Sequence, residues 1–363
     1  MSKIRFQVLS PLFPENPAPR VTGSLPALGN WNPAEGLELK PHGIWREAEF
    51  ATEEGEHFEY KITRGSWQTE AVDAWGDVLP NRSHEVWGDA TLHVTVADWK
   101  DTHAGRLTRE RVGSRILADS REILIWLPPS YALDPERRFP VIYLHDGDNL
   151  FDPQTSPITG VDWAADEWVR LLARTGGVPE SIVAGVCHPD GFNQENIPLR
   201  DVDLSPELGG PAYAAFVASE LAPYLDTHYR TDASPLRRTL GGADLGALNA
   251  FYTAIHHPGV FSRFLCLSTR FGDLSDSPAE NSRELAALEC LPGLPRENRF
   301  YFDYGTRGLD AGLGPFHERL GAILREKGAR DGAEFQIARV EGGGHDEASW
   351  RQRFGPALRF LAQ

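Results

Sequence analysis

Apolar and polar positions follow two different rhythms along this chain. Through residue 100 the apolar positions come in short runs (residues 4–9, 45–50, 57–62 and 91–96) that alternate or cluster briefly, then give way to Gly, Pro, Asn and Asp. Runs this short with turn residues between them predict β-strands, and no long helical period interrupts them. Residues 1–100 are therefore expected to form an all-β antiparallel sandwich. From Ser114 the rhythm changes. The runs ILIWLP, PVIYLH, SIVAGV, FLCLS and FYFDYG alternate with stretches of helical spacing such as 213–228 and 245–256. Continuous apolar strands interleaved with helices predict a mostly parallel sheet with helices on both faces. The polar DWKDTHAGRLTRERVG marks the change, so 101–113 is read as a linker and 114–363 as an α/β domain.

Composition narrows the partners. Lys and Arg total 36 against 52 for Asp and Glu, a formal charge of −16, so neither nucleic acid nor an anionic membrane is an expected partner. Cys187, Cys266 and Cys290 lie far apart without C-x-x-C spacing and are read as buried, reduced thiols. The first twenty residues hold no apolar core of a signal peptide and no later run is long enough to span a bilayer; a soluble, cytoplasmic protein is expected. The dipeptide His256-His257 would diverge on a helix. In HDGDN, Asp146 and Asp148 lack the regular oxygen spacing of a calcium loop. No metal site and no cofactor is expected.

Several tryptophans of the first domain stand in turn-like surroundings: Trp31 in LPALGNWNPAEG, Trp67 in TRGSWQTE, Trp75 and Trp87. A lone tryptophan is most simply a core residue. One displayed on a rigid turn can instead stack on the apolar face of a sugar ring. The ordered set VTGSLPALGNWNPAEGLEL, GEHFEYKITRGSWQTE and NRSHEV resembles the starch-binding modules of carbohydrate-binding family 20. That resemblance implies α-glucan binding, with Trp31 and Trp67 as stacking platforms and Lys61 as a donor to sugar hydroxyls. The insertion AVDAWGDVLP between Trp67 and Asn81 departs from the pattern.

The second domain carries LGGADLGALN at 240–249. A strand-like approach, RRTLGG, leads through small residues into Asp244, and LGALNAFYTAIHHP continues with helical spacing. Strand, sharp turn and helix are the setting of a nucleophile elbow. FDYGTRGLDAG places Asp310 in a loop after an apolar strand, and VEGGGHDEASWRQRF places His345 after three glycines. The order Asp244, Asp310, His345 is that of nucleophile, acid and histidine in α/β-hydrolases.

With REILIWLPPSYALDPERRFPVIYLHDGDNLFDP, YAAFVASELAPYLDTHYRT and GGGHDEASWRQRF, the span 114–363 resembles the Putative esterase family of α/β-hydrolases, which contains feruloyl and enterochelin-type esterases. The resemblance implies that Asp310 orients His345, that His345 is the general base, and that Leu245 and Gly147 supply oxyanion-hole N–H groups. Three departures cluster. G-x-S-x-G-G becomes Gly242-Ala243-Asp244-Leu245-Gly246-Ala247. Ser268-Thr269-Arg270-Phe271 replaces an S-P-S-like segment. GFNQENIPLRD keeps Glu195 and Pro198 of an R-x-x-E-Y-x-P string but has Phe192 and Asn196 for its Arg and Tyr. Arg270 and Glu195 are therefore assigned to the pocket.

A carboxylate attacking an ester carbonyl would form a mixed anhydride, so ordinary esterase activity is expected to be altered or lost. Two alternatives stand beside this. Asp244 could open an sp³ carbon centre, as the aspartates of haloalkane dehalogenases and epoxide hydrolases do. Or the chain is a non-catalytic glucan-binding scaffold in which Asp244 occupies the oxyanion position and pairs with Arg270.

Overall fold

The computed structural model describes residues 1–9, 17–43, 45–73, 76–103, 105–156, 160–189, 210–271 and 282–363. The chain divides into two compact units, 1–106 with 129–136, and 107–128 with 137–363.

The first unit is a β-sandwich. One sheet has the order β4-β5-β1-β9, built from β1 (Ser2–Leu9), β4 (Lys40–His42), β5 (Trp45–Thr52) and β9 (Ala90–Thr95). The other has the order β3-β2-β6-β8, from β2 (Arg20–Gly23), β3 (Leu37–Glu38), β6 (His57–Thr63) and β8 (Arg82–Glu85). A short pair, β7 (Ala71–Val72) with β10 (Asp98–Trp99), completes it. Alternation along β1 buries Ile4, Phe6 and Val8 against Phe58, Tyr60 and Ile62 of β6 and turns Lys3 and Arg5 to solvent. The sandwich is not wholly antiparallel: β1 and β9 run parallel, Phe6 opposite Leu92.

The segment expected to be a linker is ordered structure. It holds the short α1 (Lys100–His103) and most of β11 (Arg106–Ser114), whose charged residues alternate with half-buried Thr108 and Glu110 and buried Val112. Such charge suits a strand at the edge of a sheet, and hid it from a reading that sought apolar runs.

β11 begins an eight-stranded sheet of order β11-β12-β14-β13-β15-β16-β17-β18. Its other members are β12 (Asp119–Leu127), β13 (Val141–His145), β14 (Ile182–Val186), β15 (Arg238–Ala243), β16 (Arg263–Leu267), β17 (Arg299–Gly305) and β18 (Phe335–Val340). β12 lies antiparallel to β14, and from β14 to β18 the neighbours are parallel. Around the sheet stand α2 (Ala165–Arg174), α3 (Gly210–Phe216), α4 (Ala222–His228), α5 (Asp244–His256), α6 (Arg283–Cys290), α7 (Gly314–Glu326) and α8 (Glu347–Leu361). Residues 217–221 join α3 to α4 through a π-type turn. On one face of the sheet, Trp126, Leu144, Leu265 and Tyr301 pack with Val169 and Leu172 of α2 and Phe354 and Leu358 of α8. Parallel strands deliver the loops after β13, β15, β16, β17 and β18 to one edge, where a site can be gathered.

Candidate active site

Asp244 is the first residue of α5 and directly follows β15. Its φ of 51° is left-handed, a conformation that costs a non-glycine residue energy and that a strand-to-helix corner imposes. Glycines make the corner possible. A Cβ at Gly242 would lie 2.9 Å from the carbonyl carbon of Gly246, and one at Gly246 would lie 3.1 Å from His145 Cβ.

The structure brings Asp244, Asp310, His345 and Arg270 together. His345 Nδ1 is 2.7 Å from Asp310 Oδ1, and Nε2 is 3.5 Å from Asp244 Oδ1. Arg270 Nε is 3.2 Å from that same Asp244 oxygen. Oδ1 is enclosed, and both contacts are ion-pair contacts outside hydrogen-bond geometry. Burial opposes charge on His345, but the contacts with Asp244 and Asp310 outweigh it and raise its pKa to about 9. At neutral pH the ring is therefore an imidazolium between two carboxylates.

Asp310 is wholly buried and fully bonded. Besides His345 it accepts from Ser268 Oγ at 2.7 Å, the Gly305 N–H at 2.7 Å and Arg353 Nη1 at 3.3 Å. Burial alone would raise its pKa; these donors bring it below the ordinary carboxylate value. Arg353 also meets Asp303 at 3.0 Å and donates to the Gly344 carbonyl, and Trp350 Nε1 donates to Ser268 Oγ at 2.9 Å. Burial lifts Asp303 to about 7 against the opposing pull of Arg353. Sequence reasoning missed Ser268, Asp303, Trp350 and Arg353. The available signal was the i, i+3 spacing of Trp350 and Arg353, which sets both on the inner face of α8.

The proposed oxyanion donors flank the corner. Leu245 is in the first turn of α5, where N–H groups have no intrahelical acceptor. Gly147 opens the 3₁₀ turn Gly147–Asn149 after β13, and a Cβ there would sit 2.7 Å from the Gly185 backbone. Asp146 (φ 57°) and Asp148 bracket Gly147, and His188 grips both: Nε2 is 3.0 Å from Asp146 and Nδ1 is 3.0 Å from Asp148. Burial works against charge on His188, but the two carboxylates raise its pKa to about 10. Beneath them lies His145, fully buried, with Nδ1 3.0 Å from the Tyr213 hydroxyl; burial drops its pKa to about 4. Glu195 lies outside the described residues.

In the sandwich unit, Trp31 and Trp67 meet as a tilted pair, ring centroids 6.3 Å apart and planes at 33°. Trp31 follows Gly29 and Asn30 in a run of positive φ, and its N–H is held by the Gly23 carbonyl at 2.7 Å. Trp67, 38% exposed, opens a 3₁₀ turn. The β2–β6 register sets Lys61 opposite Thr22, beside Gly23. Lys61 Nζ lies 3.1 Å from buried Glu70, which Lys100 also meets at 3.2 Å. Lys61 is thus a donor already committed to one partner. Trp87 is exposed, and Trp75 lies outside the described residues.

One cluster had no expression in the sequence. Ligand atoms of Glu122, Asp148 and Cys187 all lie within 4.8 Å of one another, although no metal site was expected. Positions 122, 148 and 187 share no motif spacing; only the pairing of β12 with β14 and the return of the loop after β13 unite them.

Strand order, left-handed corner and carboxylate–imidazole pair define an α/β-hydrolase fold. The chain belongs to the Putative esterase family, which it matches over residues 114–361. Residues 1–96 match the starch-binding domain family. Among curated relatives, the chain is 26% identical over 185 residues to Uncharacterized protein YbbA of Bacillus subtilis (strain 168), covering 49% of this chain and 66% of that protein. It is 28% identical over 165 residues to Uncharacterized protein YjcH of the same organism, covering 45% and 62%. The chain thus spans slightly less than two thirds of the length of these relatives. Among solved structures it is similar to a ferulic acid esterase (TM-score 0.52, 19% identity, covering 71% of this chain and 97% of that one). It is likewise similar to the enterobactin esterase FES from Shigella flexneri, solved in the presence of enterobactin (TM-score 0.54, 16% identity, 98% and 92%). At these identities the likeness is one of fold.

Proposed function

We propose that this chain is a glucan-associated, esterase-like protein in which serine-dependent ester hydrolysis has been lost, the N-terminal domain holding α-glucan and the elbow carrying a neutralised carboxylate. The observation that supports this best is Asp244 Oδ1 lying between Arg270 Nε and His345 Nε2. A general base must be neutral to take a proton, and an imidazole with a pKa of about 9 is protonated at pH 7. Asp244 itself would give an ester carbonyl a mixed anhydride, leaving no easy hydrolytic exit.

The same contacts weigh against attack on an sp³ carbon, which needs a free carboxylate and a neutral ring to activate water. Trp31 and Trp67 support α-glucan as the partner, and the cytoplasm is proposed as the location.

Short p-nitrophenyl esters test the reading. Wild type should turn over no faster than Asp244→Ala. Asp244→Ser should gain at least about 100-fold over that background, since base and oxyanion donors would again have a hydroxyl to serve. Adding His345→Ala should abolish the gain. Wild-type ester turnover that His345→Ala removes, or halide or diol release that Asp244→Asn stops, would sink the proposal.

A further inference from the structure

We propose that Glu122, Asp148 and Cys187 form a binding site for a divalent transition-metal cation of the zinc class, a site separate from Asp244, Asp310 and His345. Three elements build it. Glu122 and Cys187 face each other across β12 and β14: the Cys187 N–H donates to the Glu122 carbonyl at 3.0 Å, one step beyond the Ile123–Val186 pair. Directly opposed residues on antiparallel strands put their side chains on one face of the sheet. Asp148 comes from the turn after β13, which lies next to β14. The three ligand atoms then fall within 4.8 Å of one another, a spread that small side-chain adjustments bring to the separations in a coordination shell.

The three groups already have partners. The His188 N–H at 2.9 Å and Nδ1 at 3.0 Å both fall on Asp148 Oδ2, and Arg109 meets Glu122 at Oε1. The Cys187 S–H donates to Asp148, a bond that sulfur–metal coordination would replace. Cys187 is buried, with its sulfur beside the Asp148 and Glu122 carboxylates that a cation would bridge. On binding, the S–H bond breaks, sulfur becomes the ligand and the proton leaves to water: Cys–SH plus M²⁺ gives Cys–S–M⁺ plus H⁺, with no change of oxidation state. One thiolate with two carboxylates selects zinc-class ions over magnesium or calcium, and three protein ligands leave a fourth position for water. Because Asp148 shares its turn with Gly147, a bound ion would tie that turn to β12 and β14.

The test uses the full chain carrying Cys290→Ser, which removes the exposed thiol, freed of metal with a chelator and dialysed. Titration with Co²⁺ is expected to saturate at one equivalent with a near-ultraviolet thiolate-to-cobalt charge-transfer band. Cys187→Ser should remove that band and weaken Zn²⁺ binding by at least about 100-fold in calorimetry, and Glu122→Gln should weaken it by about 10-fold. His345→Ala should leave band and affinity unchanged. Absence of the band in the parent, its persistence in Cys187→Ser, or loss of binding in His345→Ala would each overturn the assignment. If Cys187→Ser does not fold, the parent's band and the Glu122→Gln affinity decide: both as expected supports the site, and either missing overturns it.

Discussion

Arg270 Nε lies 3.2 Å from Asp244 Oδ1, so a residue three positions beyond the end of β16 supplies a cation to the strand-to-helix corner. Both side chains remain about a third exposed, and an ion pair so placed contributes about 0.2–1 kcal/mol. Its consequence is electrostatic. Arg270 shares the carboxylate that also faces His345, yet against burial the contacts with Asp244 first and Asp310 second still raise the His345 pKa to about 9.

The pH behaviour of His345 follows. Its pKa rises from 6.5 to about 9, so its contribution to stability is fully present below 6.5 and is lost as pH climbs through 9. Thermal melts of wild type and His345→Gln should therefore differ most at pH 6 and converge by pH 10. Asp244→Asn should bring the imidazole titration, followed by NMR, down toward 6.5, and Arg270→Gln should move it upward. A wild-type ring titrating near 6.5 would contradict the charged state.

Arg353 is the keystone behind the imidazole. It is 4% exposed and joins Asp303, Asp310 and the Gly344 carbonyl. Removing one partner of such a buried network strands the others, at a cost of about 3–5 kcal/mol. Arg353→Met should lower the urea midpoint accordingly, while Arg359→Met, at an exposed position of α8, should cost far less. Equal losses would show that α8 depends on general packing rather than on this network.

What could be read from the sequence divides along physical lines. Strands whose both faces are buried, such as VIYLH and IVAGV, announce themselves as apolar runs, and the elbow announces itself through glycines that only a crowded corner requires. Asp244, Asp310 and His345 were legible because each stands in the corner, turn or loop that follows such a strand. β11 was not, because an edge strand is kept polar. Ser268, Asp303 and Arg353 were not, because a polar residue inside a core looks in sequence like one on a surface until its partner is known. Lys61 was legible as a strand residue, but its salt bridge to Glu70 depends on a turn nine positions away.

Gly147 offers a test of the turn after β13. Any Cβ there meets the Gly185 carbonyl carbon and oxygen at 2.7 Å and the Cys187 nitrogen at 2.9 Å, all backbone atoms that cannot rotate away. Gly147→Ala should therefore push the turn outward, destabilising the chain by about 1–3 kcal/mol. Combined with Asp244→Ser, it should cancel most of the gained ester turnover through kcat, because an oxyanion donor acts on the transition state. A loss confined to KM would place Gly147 outside the oxyanion hole.

The paired tryptophans of the sandwich carry the last prediction. Trp31 and Trp67 present rings 33° apart with centroids 6.3 Å apart, and under the proposed reading these two faces stack an α-glucan. β-Cyclodextrin or maltoheptaose should quench the intrinsic fluorescence and bind with millimolar to micromolar affinity. Each stacking ring is worth about 1–2 kcal/mol, so Trp67→Ala and Trp31→Ala should each weaken binding by about 10-fold or more, and Asp244→Ser should leave it unchanged. Lys61→Met should act differently, lowering stability as well as affinity, because Glu70 is 5% exposed and would keep only Lys100 as a cationic partner. Binding that survives the loss of both rings would move the glucan site elsewhere on the sandwich.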